Sequence, residues 1–411
     1  MTRPVYIGLI SGTSRDGLDA VLVTLEGSVP RLLHALCRPY PAPLRDDLDA
    51  LIHRLLEENR RPEAAETAHL DLELGEFFAD TVQALLAEAG FPAEDVHAIG
   101  SHGQTVWHEP GGPEPLSVQL GDAEVLHRLT GIPVVSDFRA ADVAAGGQGA
   151  PLAPLLHRAL FRDQAPCAVL NLGGIANVTL LTGDGDVLGY DTGPANCLLD
   201  AWHQRHRGGA YDEGGAWAAG GMVLPALLER LLDDTYFRLP PPKSTGLETF
   251  NLAWLERRLA GDEDPRDVQR TLLELTVRSV ADGLRQDGGN TGNPFAAEHA
   301  PLAGKASGPG APEIPEIPEI LVCGGGTHNA TLMDRLAQAL SPTRVRSTAH
   351  RGVDPDWVEA TLFAWLAHER LAEQPMTTGP ITGARRPVLL GRVSPSTPPA
   401  PSVKAIPGDT A

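Results

Sequence analysis

The chain has four cysteines in 411 residues, and no two of them form a Cys-x-x-Cys pair. Cys37, Cys167, Cys197 and Cys323 lie too far apart in sequence for a disulfide framework or a zinc site. They read as mostly buried thiols of a reducing compartment. Long apolar runs are also missing. Nothing approaches the roughly 20 residues of a membrane span. The first apolar stretch, Val5–Ile10, is too short for the core of a secretory signal. A cytoplasmic location is the expectation, with no membrane partner. Basic blocks are absent as well. The chain carries 33 Lys and Arg against 53 Asp and Glu, a formal charge of -20. That balance argues against nucleic acid as a partner. Two common nucleotide devices are lacking too. There is no GxxxxGK[ST], hence no P-loop lysine, and no GxGxxG opening a helix.

What the chain does have is glycine-rich turns at element junctions. The first is the core of "VYIGLISGTSRDGLDAVLV". There Gly12, Thr13, Ser14, Arg15, Asp16, Gly17, Leu18 and Asp19 separate two apolar runs of strand character. The second is in "CAVLNLGGIANVTLL", where Gly173, Gly174 and Asn177 lie between strands over 167–172 and 177–182. The third is "EILVCGGGTHN", where Gly324, Gly325 and Gly326 join a strand to a helix. Helical periodicity near 3.6 recurs at 44–58, 64–90, 224–233, 252–259, 268–286 and 355–372, with strand-like runs at 96–99 and 132–135. The alternation predicts an α/β protein. Each half opens with a strand, a glycine turn and a second strand, a loose duplication that suggests two related domains about a cleft.

A turn rich in Gly, Ser and Thr can point N–H groups and hydroxyls at phosphate oxygens. Two such turns can clamp a nucleotide's phosphates from opposite sides. A glycine turn opening a helix allows close backbone approach to a nucleoside. Asp16 and Asp19 are the candidate Mg²⁺ ligands, directly or through water. One such turn alone reads equally as a structural hairpin. Three in this order point to ATP.

Seven motifs then carry a family resemblance: "GLISGTSRDGLDAVLV", "GSHGQTVWHEP", "SDFRAADVAAGGQGAPL", "NLGGIANVTLL", "GYDTGPANCLLD", "CGGGTHN" and "VEATLFAWLA". Together they resemble anhydro-N-acetylmuramic acid kinase. The resemblance implies two RNase H-like domains of the actin/hexokinase/Hsp70 superfamily around an ATP cleft. It places the N-terminal domain, with sugar-side insertions, at 1–165 and the C-terminal domain, with the nucleotide site, at 166–395. The Gly/Pro-rich stretch 287–318 reads as a flexible insertion and 396–411 as a disordered tail. The implied reaction uses ATP, Mg²⁺ and water. It opens 1,6-anhydro-N-acetylmuramic acid and phosphorylates its 6-oxygen, giving N-acetylmuramic acid 6-phosphate and ADP in cell-wall recycling. The implied assembly is a homodimer.

By motif, Gly12–Asp19 and Gly173–Asn177 match the phosphate loops and Gly324–Gly326 the nucleoside side. Arg15 stands where the family usually has an aliphatic residue, so it points to solvent or touches phosphate. Asp191 matches the catalytic aspartate. Its place at a strand end before a turn supports that independently, since a carboxylate there can take a proton from attacking water. The alternative is a helix-start acid. His102, Gln104, Arg139 and Glu359 match the sugar side. Each also has a plain reading: His102 bonds its own turn, Arg139 pairs with Asp137 or Asp142, Glu359 is a surface helix acid. Trp107 and Trp202 read as packing residues. Two other classes stay open: a kinase for an ordinary sugar hydroxyl, and a non-catalytic nucleotide-binding regulator.

Overall fold

The computed structural model describes residues 3–12, 15, 17–27, 29–182, 185–287 and 317–395. Thr13, Ser14 and Asp16, most of the expected insertion and the tail 396–411 lie outside the described residues.

The first sheet begins with β1 (Val5–Ser11), β2 (Gly17–Glu26) and β3 (Val29–Pro39), joined antiparallel. β4 (Val96–Glu109) then returns parallel to β1, and β6 (Val134–Ser136) parallel to β4. β5 (Leu116–Leu120) pairs with β4 off the main path. The second sheet repeats the plan. β7 (Cys167–Leu172), β8 (Ile175–Leu181) and β9 (Val187–Pro194) are antiparallel. β10 (Glu319–Cys323) is parallel to β7, and β11 (Arg344–Ser347) parallel to β10. The first sheet therefore runs β3-β2-β1-β4-β6, with one more edge strand beyond β6, and the second runs β9-β8-β7-β10-β11. That is the RNase H-like arrangement, present twice.

The strands alternate strictly between two faces. In β7, Ala168, Leu170 and Leu172 belong to an outer core with the helices Asn196–Arg207 and Pro265–Asp287. Cys167 and Val169 face inward instead. The helices Ala42–Glu58 and Ala64–Ala89 cover the outer face of the first sheet. Between the two inner faces lies one shared core, with Leu155 and Leu156 of the helix Ala153–Phe161 and Phe363 and Trp365 of the helix Val358–Leu371.

The helix Val358–Leu371 packs on β1 and β4, and β12 (Arg392–Ser394) pairs with β6, so the chain's last segment is built into the first sheet. The 1–165 and 166–395 boundaries expected from sequence cut across this crossover. Close packing here depends on glycine. Gly8 and Gly100 face each other across β1 and β4. A Cβ on either would sit 1.9 Å from a backbone oxygen of the helix, Ala360 or Phe363. Gly8→Ala is expected to cost roughly 1–3 kcal/mol or more by overpacking, read as a lowered thermal midpoint. An unchanged midpoint would mean the helix retreats freely.

Candidate active site

The inner face of the second sheet is mostly apolar before its last row, with Thr179 of β8 paired to His157 at 2.7 Å. In the last row the pairings align Cys323 of β10, Asn171 of β7, Asn177 of β8 and Asp191 of β9 side by side. The row lies at the carboxyl ends of the parallel strands β7 and β10, where clefts of α/β proteins open. A β-bulge between Ala176 and Asn177 in the β8–β9 pairing sets Asp191 opposite Asn177. Bulges re-aim side chains at such places.

Asp191 is 5% exposed. The chain after β9 cups it. Its Oδ2 accepts the Thr245 N–H at 2.9 Å. Its backbone N–H donates to the Lys243 carbonyl at 3.0 Å, and its carbonyl accepts from the Tyr236 hydroxyl at 2.8 Å. Burial pushes its pKa up to about 7, against the pull of the Thr245 N–H, with Arg139 and Lys243 lowering and Glu248 raising it. A structural helix-start acid would keep a low pKa in water. Asp191 instead precedes the helix Asn196–Arg207 by a full turn of chain and faces the cleft.

Arg139 comes from the opposite wall. Its Nε and Nη2 lie 3.1 and 2.9 Å from His102 Nε2, and Nη1 lies 3.5 Å from the Gly149 carbonyl. His102 Nδ1 is 2.9 Å from the Gly103 carbonyl. That contact requires the proton on Nδ1 and leaves Nε2 as the acceptor. Burial and the Arg139 charge hold the His102 pKa well below its usual value, so the ring stays neutral. Clamped this way, the guanidinium sits in the electrostatic field of Asp191, Glu359 and Glu248, which opposes the lowering of its pKa by burial. Asp142 is taken by the Gly149 N–H and the Thr382 hydroxyl, at 2.7 and 2.8 Å.

Glu359 stands in the first turn of the helix Val358–Leu371. Burial raises its pKa, the Asp19 charge raises it further, and a hydrogen bond from Asn171 opposes both. Two carboxylates thus feel one another's charge, Asp19 from β2 of the first sheet and Glu359 from the helix Val358–Leu371. Among the described residues no cluster of three or more His, Cys, Asp or Glu forms a metal site.

The three glycine turns border this cleft. The carbonyls of Gly173 and Gly174 are taken by N–H groups of Ala195, Asn196 and Cys197. In a trans peptide C=O and N–H point oppositely, so the Gly174 N–H faces away from that helix. Gly324 has φ +83, and a Cβ there would meet Asn171 Oδ1 at 2.6 Å. One on Gly326 would meet Leu172 Cβ at 2.5 Å, while Gly325 faces open space. Only the middle glycine is therefore free to lie against a ligand; its neighbours serve packing. In the first turn, the Ser11 hydroxyl donates to Gln104 Oε1 at 2.6 Å and sits 2.9 Å from the Gly17 carbonyl. Gln104 thus braces the turn. Leu18 is buried in the outer core. Arg15 has φ 51, and its Nε lies 2.5 Å from Asp49 of the helix Ala42–Glu58. Gly12 begins the turn, its carbonyl 3.3 Å from the Arg15 N–H.

Sequence reading missed Asn171, Cys323, Lys243, Thr245 and Glu248. Strand parity could have found the first two, since both share the inner face with Asp191. The loop carrying the other three has no periodicity to place it. Trp202 packs in the outer core with its Nε1 donating to the Pro265 carbonyl at 2.8 Å. Cys167 and Cys323 are buried, Cys197 is half-buried and Cys37 is exposed.

A sequence model of the family described as anhydro-N-acetylmuramic acid kinase matches residues 4–293 and 311–396. The anhydro-N-acetylmuramic acid kinase of Chromohalobacter salexigens is 47% identical over 392 residues, covering 94% of this chain and 98% of that protein. The one from Xanthomonas campestris pv. campestris (strain 8004) is 45% identical over 398 residues, covering 96% and 98%. The one from Vibrio cholerae is 44% identical over 393 residues, covering 95% and 98%. With a profile match and relatives of this identity along almost its whole length, the chain belongs to the anhydro-N-acetylmuramic acid kinase family.

Proposed function

We propose that the protein uses ATP to open 1,6-anhydro-N-acetylmuramic acid with water and to phosphorylate its 6-oxygen, releasing N-acetylmuramic acid 6-phosphate and ADP for cell-wall recycling. The observation that carries the reading is Asp191: a buried carboxyl on the cleft face with a pKa of about 7. A base poised near working pH is what removal of a proton from water needs. Asp191 takes that proton as the water oxygen attacks the anomeric carbon. The bridging C–O bond breaks, and the bridge oxygen keeps the electron pair and attacks the γ-phosphorus. Arg139, its other edge held by His102, is aimed to receive the lactyl carboxylate in a fork. Gln104 supports this wall through Ser11.

The nucleotide is assigned to the glycine turns, with Gly12–Asp19 and the Gly174 N–H at the phosphates and Gly325 at the nucleoside. Arg15, tied to Asp49, acts there by fixing the turn. The mutual repulsion of Asp19 and Glu359 fits a divalent cation, since Mg²⁺ is commonly held by one or two carboxylates together with phosphates and water. Asp19 and Glu359 would hold the ion, with Asp16 assigned to it from its place in the sequence motif, and the ion would neutralise phosphate charge and support in-line transfer. The two halves act as two domains about this cleft. A cytoplasmic homodimer completes the proposal. All four cysteines are free, as suits a reducing compartment, and no described helix is long and apolar enough to cross a membrane.

The test is turnover in ¹⁸O-labelled water, quenched before the reducing sugar exchanges its anomeric oxygen. One solvent oxygen should appear on the anomeric carbon and none in the phosphate ester. A phosphorylated sugar without solvent oxygen would identify an ordinary hydroxyl kinase. No ATP consumption with any amino sugar would identify a regulator.

A further inference from the structure

We infer that Asn177 is the second anchor of the attacking water: its side-chain Oδ1 accepts a hydrogen bond from the water proton that Asp191 does not remove. This rests on the hydrolytic reading above and moves Asn177 from the phosphates to the reacting oxygen.

Three observations carry it. The first is register. Asn177 stands directly opposite Asp191, and both side chains share the inner face. Directly opposed residues have Cβ atoms roughly 4.5–5.5 Å apart, which suits one water between their polar ends. The second is an unmet need. Asn177 is 8% exposed, and its Oδ1 has no partner among the described residues. Buried acceptors are normally satisfied. Asn171, one strand over in the same row, shows the usual state, with Cys323 Sγ 3.7 Å from its Oδ1 and its amide donating to Glu359. The third is chemical type. An amide oxygen repels phosphate oxygens and attracts O–H donors. Asn177 also lies two residues beyond Ile175, where the hairpin turn has already become strand. The turn itself, with the Gly174 N–H, is the part shaped for phosphate.

The chemistry balances with the same groups. Water brings two protons. One passes to Asp191 as the C–O bond forms at the anomeric carbon. The other stays on that oxygen as the new hydroxyl, bonded throughout to Asn177 Oδ1. The bridge oxygen leaves with the electron pair and forms the new P–O bond as ADP departs. Asp191 then releases its proton to solvent. Two acceptors on two protons fix the direction of the attacking lone pair, which one base alone leaves free to swing.

The experiment compares wild type, Asn177→Ala and Asn177→Ser. ATP affinity is read by calorimetry and turnover by product formation. Partition between water and added methanol is read as free sugar phosphate against methyl glycoside phosphate. Loss of positioning is expected to lower kcat by about 10²-fold in the Ala variant, with ATP affinity within about twofold of wild type. The Ser variant should recover part of the loss, because a hydroxyl still accepts. Methanol has one proton, which goes to Asp191, so it needs no second acceptor. Partition should therefore shift toward the methyl glycoside in the Ala variant, a change that a purely structural role would not cause. Weakened ATP binding with kcat kept would return Asn177 to the phosphates. Wild-type kcat and partition in both variants, or a kcat loss with partition unmoved, would also overturn the assignment. If wild type itself shows no solvent oxygen at the anomeric carbon, the hydrolytic reading fails first. If it does and the variants match it, only the role of Asn177 fails.

Discussion

Asp191→Asn is expected to lose at least about 10²-fold in turnover, since positioned bases contribute about 10²–10⁴-fold. The replacement keeps the shape and still accepts the Thr245 N–H, the bond that now holds Oδ2. What it cannot do is take a proton. Ring opening and phosphoryl transfer should fall together, because the bridge oxygen is freed for phosphate only as water attacks. ATP and anhydro-sugar should still bind. In wild type, kcat/KM for the sugar should rise with pH through about 7, the pKa to which burial pushes this carboxyl. That acid limb should disappear from the residual activity of the variant. Near-normal turnover with solvent oxygen incorporated would sink the assignment.

The same substitution should raise stability. Between the ordinary value of 3.8 and about 7, the folded chain holds a proton on Asp191 that the unfolded chain has lost. More protons bound in the folded state means that stability falls as pH rises through this window. The penalty is complete above about pH 7 and absent below the unfolded value. At 1.36 kcal/mol per unit, its ceiling is roughly 4 kcal/mol. Asp191→Asn should therefore melt above wild type at pH 8, with the gap closing toward pH 4. A helix-start acid would do the opposite, since its removal costs stability at neutral pH. Melting curves at the two pH values separate the two roles without any assay of activity.

The fold was legible where strands alternate and where turns carry glycine. "CAVLNLGGIANVTLL" has the alternation, the turn and the second strand in plain order, and the structure builds β7 and β8 from it. β3 was not legible: its burial is mostly exposed or partial because it is an edge strand, so its sequence shows no apolar face. Nor was the crossover of the helix Val358–Leu371 onto β1 and β4, which needs Gly8 and Gly100 opposite one another. Sequence shows each glycine but not their meeting.

The site divides the same way. Asp191, Arg139 and Glu359 come from motifs, and the structure sets them in one electrostatic field. Glu248 could not be found beforehand. It lies in a loop with no periodicity, and the loop is brought to Asp191 by the Thr245 N–H. Sequence proximity offers Arg139 two structural partners, Asp137 and Asp142. The preference for His102 comes from tertiary packing: the ring, tilted against Phe363 with centroids 4.7 Å apart, presents an acceptor that sequence distance hides.

Arg139→Ala is expected to lower kcat/KM for the anhydro-sugar by on the order of 10²-fold or more, the cost of removing one partner from a buried charge pair. Two causes should be separable. First, the Arg139 charge opposes the upward shift of Asp191, Glu248 and Glu359. Without it all three hold protons to higher pH, so the acid limb of the rate profile should move up. Each unit of that movement costs tenfold at a pH below the limb and is recovered at high pH. Second, the fork facing the substrate is lost, which raises KM at every pH. Arg139→Lys keeps the charge but cannot reproduce the planar clamp on His102. It should hold the limb near its wild-type place while still raising KM. The corresponding anhydro-glucosamine sugar, which lacks the lactyl group, separates the roles further. If Arg139 reads the lactyl carboxylate, the KM penalty of Arg139→Ala should be much smaller on that sugar, while the pH shift should remain. Equal penalties on both sugars would remove Arg139 from carboxylate recognition. A limb that stays in place in the Ala variant would remove it from the field that sets the Asp191 base.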